Sequence, residues 1–175
     1  MKKIQKTKNQ GILFWITGLS GSGKSSIGKI LLNKIQNKYG PTIILHGDDF
    51  RNIFNLKGYS KEERKRVGTM YIKFLKLIIN QKINVIMTVV GLQHSIRELN
   101  KKLFKNYVEI FIKSDLRKIL KFNKKKIYSK YKTNITGLDL KPEFPKKPDL
   151  IINNNFTKTI KEISDNLFKK IIQII

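Results

Sequence analysis

The chain has 175 residues, 37 of them basic and 12 acidic, no cysteine and two histidines. That length buries one core and not two, so a single domain over 1–175 is expected, and the missing cysteines exclude disulfides, thiolate catalysis and cysteine-based zinc sites, in keeping with a reducing cytoplasm. The formal charge of +25 invites a nucleic-acid reading, but all but five of the basic residues are lysines scattered along every segment. Lysine, isoleucine and asparagine share A/T-rich codons, and a nucleic-acid face would concentrate arginine and exposed aromatics, so the field is read as gathering small anionic substrates.

The start, MKKIQKTKNQ, is a basic tail. The apolar run after it is short, has no small-residue cleavage site and flows into a glycine-rich turn, so it reads as neither a signal peptide nor a membrane anchor. Ile12 to Thr17 is the first strand, apolar throughout as a strand covered on both faces requires. It leads into Gly18-Leu19-Ser20-Gly21-Ser22-Gly23-Lys24-Ser25, which satisfies G-x-x-x-x-G-K-[ST], and Ser26 opens a helix to Tyr39 that stops before Gly40-Pro41. A strand before and a helix after are the context a phosphate-cradling loop needs. Backbone N–H groups from Gly18 to Ser26 then face an ATP polyphosphate, Lys24 reaches its outer phosphates, and Ser25 offers a hydroxyl to Mg2+. The structural alternative is a turn that merely joins strand to helix.

Thr42 to Leu45 is the second strand, followed by His46-Gly47-Asp48-Asp49-Phe50-Arg51 and a short helix at Asp49 to Ile53. Ser60 with Glu63 reads as a capping box opening a helix to about Asn80. A strand at Ile83 to Val89, a helix at Leu92 to Lys105, a strand at Tyr107 to Ile112 and a helix at Asp115 to Phe122 follow. Residues 122 to 148 hold three prolines and a lysine cluster with poor periodicity, read as a lid. A strand at Leu150 to Ile152 and an amphipathic helix from Phe156 to Ile175 close the chain. Alternating strands and helices imply an α/β P-loop fold, a doubly wound, mainly parallel five-stranded sheet with helices on both faces.

Ligands in such a sheet sit at the carboxyl ends of strands, which puts Asp48 beside the phosphate loop as a catalytic base or metal partner. The alternative is that the Asp48-Asp49 pair caps the short helix. Arg51 is placed to hold an anionic group on the acceptor, or is a solvated arginine. No N-K-x-D guanine signature occurs, which argues against a GTPase.

GILFWITGLSGSGKSSIGKIL, ILHGDDFR, GYSKEER and NITGLDLKPEFPKKPDLIINN, in this order over about residues 11 to 155, resemble the adenylyl-sulfate kinase family. Those enzymes use ATP and magnesium to phosphorylate the ribose 3′-hydroxyl of adenylyl sulfate. The resemblance implies that Asp48 is the base or magnesium partner, that Arg51 binds the acceptor, and that Tyr59 takes the place of a phenylalanine stacking on its base. His94, Arg97, Lys125, Ile135, Thr136 and Gly137 fall at further acceptor-binding positions. Departures cluster on the acceptor side: His46 replaces the first aspartate of D-G-D, and Arg66 to Met70 lacks the family's asparagine and arginine pair. Gly91 takes a serine position, His94 an arginine position, and Ile135 that of the second stacking aromatic. Relatives in surface-polysaccharide pathways act on other nucleotide analogues, cytidine diphosphoramidate among them. The expectation is therefore a kinase acting on adenylyl sulfate or a similar small nucleotide, with a cytidine diphosphoramidate kinase as the alternative and a non-catalytic nucleotide- or RNA-binding domain as the second. A homodimer is left open as the assembly.

Overall fold

The computed structural model describes residues 9–122 and 135–175. Five strands, β1 (Leu13–Thr17), β2 (Thr42–His46), β3 (Asn84–Val89), β4 (Tyr107–Lys113) and β5 (Leu150–Asn153), form one parallel sheet in the order β2-β3-β1-β4-β5. Among the described residues six helices cover it: α1 (Lys24–Tyr39), α2 (Gly47–Ile53), α3 (Lys61–Asn80), α4 (His94–Leu103), α5 (Leu116–Phe122) and α6 (Ile160–Ile174). Parallel strands need crossovers, and helices on both faces explain why β1 and β3 are buried at every position.

The alternation of β1 sorts the two cores. Phe14 and Ile16 face α1 and α6, where Ile27, Leu31, Leu167 and Ile171 are buried. Leu13 and Trp15 face α3 and α4, against Val67, Leu75 and Ile96. Because β1 pairs with β3 on one edge and β4 on the other, its carboxyl end opens at the centre of the sheet, where loops on either side diverge. No described helix is long and apolar enough to cross a membrane.

Several element boundaries differ from the sequence expectation. The closing helix begins at Ile160 and not at Phe156, because Phe156 has φ 63°, outside the helical region, and Thr159 forms a reciprocal capping box with Glu162. At Ser60 only half of the expected box forms: Ser60 Oγ accepts the Glu63 N–H at 3.1 Å, while the Glu63 carboxylate pairs with Arg66 at 2.9 Å. The short helix starts two residues early, at Gly47, with His46 in the N-cap position and no side-chain cap. Asp48 and Asp49 thus lie in its first turn, where carboxylates suit the helix dipole, and neither acts as the cap.

Thr159→Ala removes one half of the box that starts α6 and should lower the unfolding free energy by about 1 kcal/mol. Urea denaturation read by circular dichroism checks this; an unchanged midpoint contradicts the capping role.

Candidate active site

The chain leaves β1 with Thr17 donating its hydroxyl to the Val90 carbonyl, then turns through the glycine loop. Gly23 carries φ 90° and ψ 3° as the residue before α1, a left-handed conformation that glycine adopts without penalty. A Cβ there would stand 3.0 Å from Asn154 Nδ2. No side chain caps α1, so its N-terminal amides and dipole face the loop interior. Lys24 is buried and donates from Nζ to the Leu19 carbonyl at 2.6 Å, folded over its own loop.

Asn154 holds the loop from the far side. It is buried, donates from Nδ2 to the Ser22 carbonyl at 3.0 Å, and accepts the Phe156 N–H at 3.0 Å. Sequence reasoning missed it, as one of three consecutive asparagines at the end of β5.

A cavity of about 810 Å³ runs from the loop across the ends of β1, β2 and β3 to α2 and α3. Ser20, Gly21, Gly23, Lys24, Ser25 and Ser26 line its loop end, whereas Gly18, Leu19 and Ser22 do not line it. Asp48 lines the cavity and Asp49 does not. Tyr71 steadies this corner by donating its hydroxyl to the Gly47 carbonyl at 2.9 Å. Burial pushes the Tyr71 phenol up to about 12, with the Arg51 charge opposing and the Asp48 charge adding, so it stays a donor.

Two arginines meet over one ring. The Arg51 guanidinium lies 4.4 Å from the Tyr59 ring centroid and that of Arg64 5.3 Å. Arg51 donates to the carbonyls of Leu56 at 3.0 Å and Gly58 at 2.7 Å, and Arg64 donates to that of Tyr59 at 2.8 Å. Burial, and then the neighbouring Arg51 charge, push the Arg64 guanidinium down from its ordinary value. Arg51 and Arg64 both line the cavity and bring positive charge to its acceptor end. Arg64 was not singled out from sequence because it sits in KEERKR, which reads as a solvated helix face.

The remaining expected residues divide. Ile135 and Thr136 line the cavity, and Gly137, with φ 102°, lies just outside it in the turn that packs on Leu19. Lys125 and the rest of 123–134 lie outside the described residues. His94 and Arg97 are not on the cavity wall. Arg97 is buried in an ion pair with Glu109 at 3.0 Å and donates to the carbonyls of Gly91 at 2.9 Å and Glu143 at 2.6 Å. His94 Nδ1 meets the same guanidinium at 2.7 Å, so this group clamps α4, β4 and the segment around Glu143 together.

Among the described residues no three histidines or carboxylates cluster to cage a metal. Ser25 and Asp48 are both on the cavity wall, and their side-chain oxygens are of the hard kind that magnesium takes.

A left-handed glycine loop ending the central parallel strand, a buried lysine at the start of the next helix, and an aspartate just past β2 on the same edge of the sheet define a nucleotide-binding P-loop kinase. The family model described as adenylylsulphate kinase matches residues 10–153, and the chain belongs to that family. It is 33% identical to the cytidine diphosphoramidate kinase of Campylobacter jejuni, over 94% of this chain and 98% of that protein. It is 32% identical to the adenylyl-sulfate kinase of Clostridium kluyveri, over 83% of this chain and 76% of that protein. The Mycobacterium tuberculosis APS kinase solved with AMPPNP and APS superposes with a TM-score of 0.83 at 26% identity, covering 93% of this chain and 98% of that one.

Asn154→Ala strands the buried Ser22 carbonyl and frees the loop. Affinity for magnesium and a non-hydrolysable ATP analogue should fall about tenfold by calorimetry, the size expected for one unsatisfied buried group. Unchanged affinity contradicts the positioning role.

Proposed function

We propose that this chain transfers the γ-phosphate of ATP to a ribose hydroxyl of a pyrimidine nucleotide of the cytidine diphosphoramidate kind. The observation that carries the reading is the make-up of the acceptor half of the cavity. Arg51 and Arg64 offer charge for a diphosphate-like group, and the Tyr59 ring beside them is the one aromatic side chain there that the family resemblance assigns to the acceptor's base. Ile135 stands on the cavity wall in place of a second aromatic, which suits a small base. The floor between Val67, Gly68 and Ile96 carries no charge to neutralise a further anion. Near-complete mutual coverage with the Campylobacter jejuni kinase supports the same substrate class.

In this reading Asp48 accepts the proton of the ribose hydroxyl as its oxygen attacks the γ-phosphorus; the bond to the bridging oxygen breaks and ADP leaves. Lys24 and the amides at the start of α1 stabilise charge on the transferring group. Magnesium, held by Ser25 and Asp48 with the phosphates, would supply further charge neutralisation when bound. Adenylyl sulfate is the second reading, favoured by the family match and by the Arg51–Tyr59 stack, which a purine could also use.

Transfer of labelled phosphate from ATP onto cytidine diphosphoramidate tests the reading, with adenylyl sulfate alongside; labelled ATP that yields only free phosphate with either would overturn it. Asp48→Asn should lower kcat by about two to four orders of magnitude, and Asp49→Asn far less. Equal losses would reverse the assignment. Arg64→Gln should raise the acceptor KM about ten- to hundredfold and leave the ATP KM in place, as loss of a charged hydrogen bond to one substrate predicts.

A further inference from the structure

Of the aromatic rings that line the cavity among the described residues, Trp15 and Tyr71 are buried and Tyr59 is half-buried beside Arg51, whereas Phe122 is 52% exposed. Phe122 ends α5, in the crossover between β4 and β5. The sheet order β2-β3-β1-β4-β5 therefore puts it on one side of the glycine loop, and Asp48 and Arg51, which follow β2, on the other.

The Phe122 ring is backed by Phe156, just past β5: their centroids are 5.3 Å apart and their planes 16° from parallel. Phe156 has φ 63°, a left-handed conformation that a bulky residue keeps only when its surroundings impose it. Asn154 imposes it, accepting the Phe156 N–H at 3.0 Å while donating to the Ser22 carbonyl at 3.0 Å. The ring also packs on buried Leu19, Phe111 and Ile119, and Ile119 lies one turn before Phe122, so the same cluster seats α5. Ile160, a further apolar residue of the wall, lies 3.5 Å from where a Cβ on Gly23 would stand. The result is a flat, open aromatic face fixed in place relative to the phosphate loop.

We propose that Phe122, backed by Phe156, is the surface on which the base of the nucleoside triphosphate donor stacks. In-line transfer puts the acceptor hydroxyl and the departing diphosphate on opposite sides of the γ-phosphorus. With the acceptor on the side of Asp48 and Arg51, the rest of the donor runs from the loop toward β4 and β5, where Phe122 presents its face. Stacking uses the π-face that every base has, so this contact serves adenine and guanine alike. The inference rests on the reading of the glycine loop as the donor's phosphate site and of Asp48 as facing the acceptor, and holds for either acceptor.

Calorimetry with the magnesium complexes of non-hydrolysable ATP and GTP analogues, and of tripolyphosphate, which has the phosphates and no base, tests it. Phe122→Ala should weaken both analogues about ten- to hundredfold, the range of one base–aromatic stack, and leave tripolyphosphate as it is in the unaltered protein. Phe122→Trp should restore the analogues. Should Phe122→Ala fold poorly, Phe122→Leu keeps apolar bulk without the π-face and should change affinity in the same direction. Analogue binding that ignores the loss of the ring overturns the proposal, and so does an equal loss for tripolyphosphate, which would place the effect in the loop and not at the base. Either result sinks this role alone, whereas an unaltered protein that binds neither the analogues nor tripolyphosphate sinks the reading of the loop with it.

Discussion

Everything in the site depends on where β1 ends. The strand is hydrogen-bonded along both edges and covered on both faces, so it cannot slide without breaking two ladders and two cores at once. The glycine loop inherits that fixed origin. Thr17 ties its near side to Val90 and Asn154 ties its far side to Ser22, so the amides at the start of α1 are aimed before any phosphate arrives. Such preorganisation is what a phosphoryl-transfer site chiefly supplies, because the chemistry asks for positioning and charge more than for new bonds to the protein.

The acceptor half rests on weaker scaffolding. It is built from the short helix α2, the loop through Tyr59 and one face of α3, held by backbone carbonyls that Arg51 and Arg64 satisfy. Here the family pattern also changes most, with His46, Val67, Gly68, Gly91 and Ile135 at positions where a different acceptor would be felt. Donor chemistry and acceptor choice are thus carried by separable parts: a rigid strand-loop-helix unit common to P-loop kinases, and a set of side chains on loops and helix faces that can be exchanged without disturbing it. The large positive charge fits a family of kinases that bind ATP and a nucleotide acceptor.

The donor half was legible in the sequence because its chemistry is local: eight contiguous residues set the loop, and the flanking apolar run and helix periodicity supply its context. That Asp48 and Arg51 line the cavity was legible from topology, since a parallel sheet puts the ends of its strands on one edge. What escaped notice depends on contacts distant along the chain. Arg64 hides in a run of charged helix residues and becomes a site residue only when Tyr59 and Arg51 fold against it. Asn154 is one of three consecutive asparagines, and nothing local distinguishes it. The start of the closing helix was misplaced because apolar spacing continues past Thr159 toward Phe156, while the backbone at Phe156 leaves the helical region.

The most direct measurement is an internal competition. Equimolar cytidine diphosphoramidate and adenylyl sulfate, with limiting ATP and magnesium in one vessel, give the ratio of the two kcat/KM values from the phosphorylated products resolved by mass spectrometry. A site with one stacking ring, a paired-arginine anion clamp and a small apolar floor predicts that the cytidine product dominates. Equal yields, or an excess of the phosphorylated adenylyl sulfate, would contradict the pyrimidine assignment.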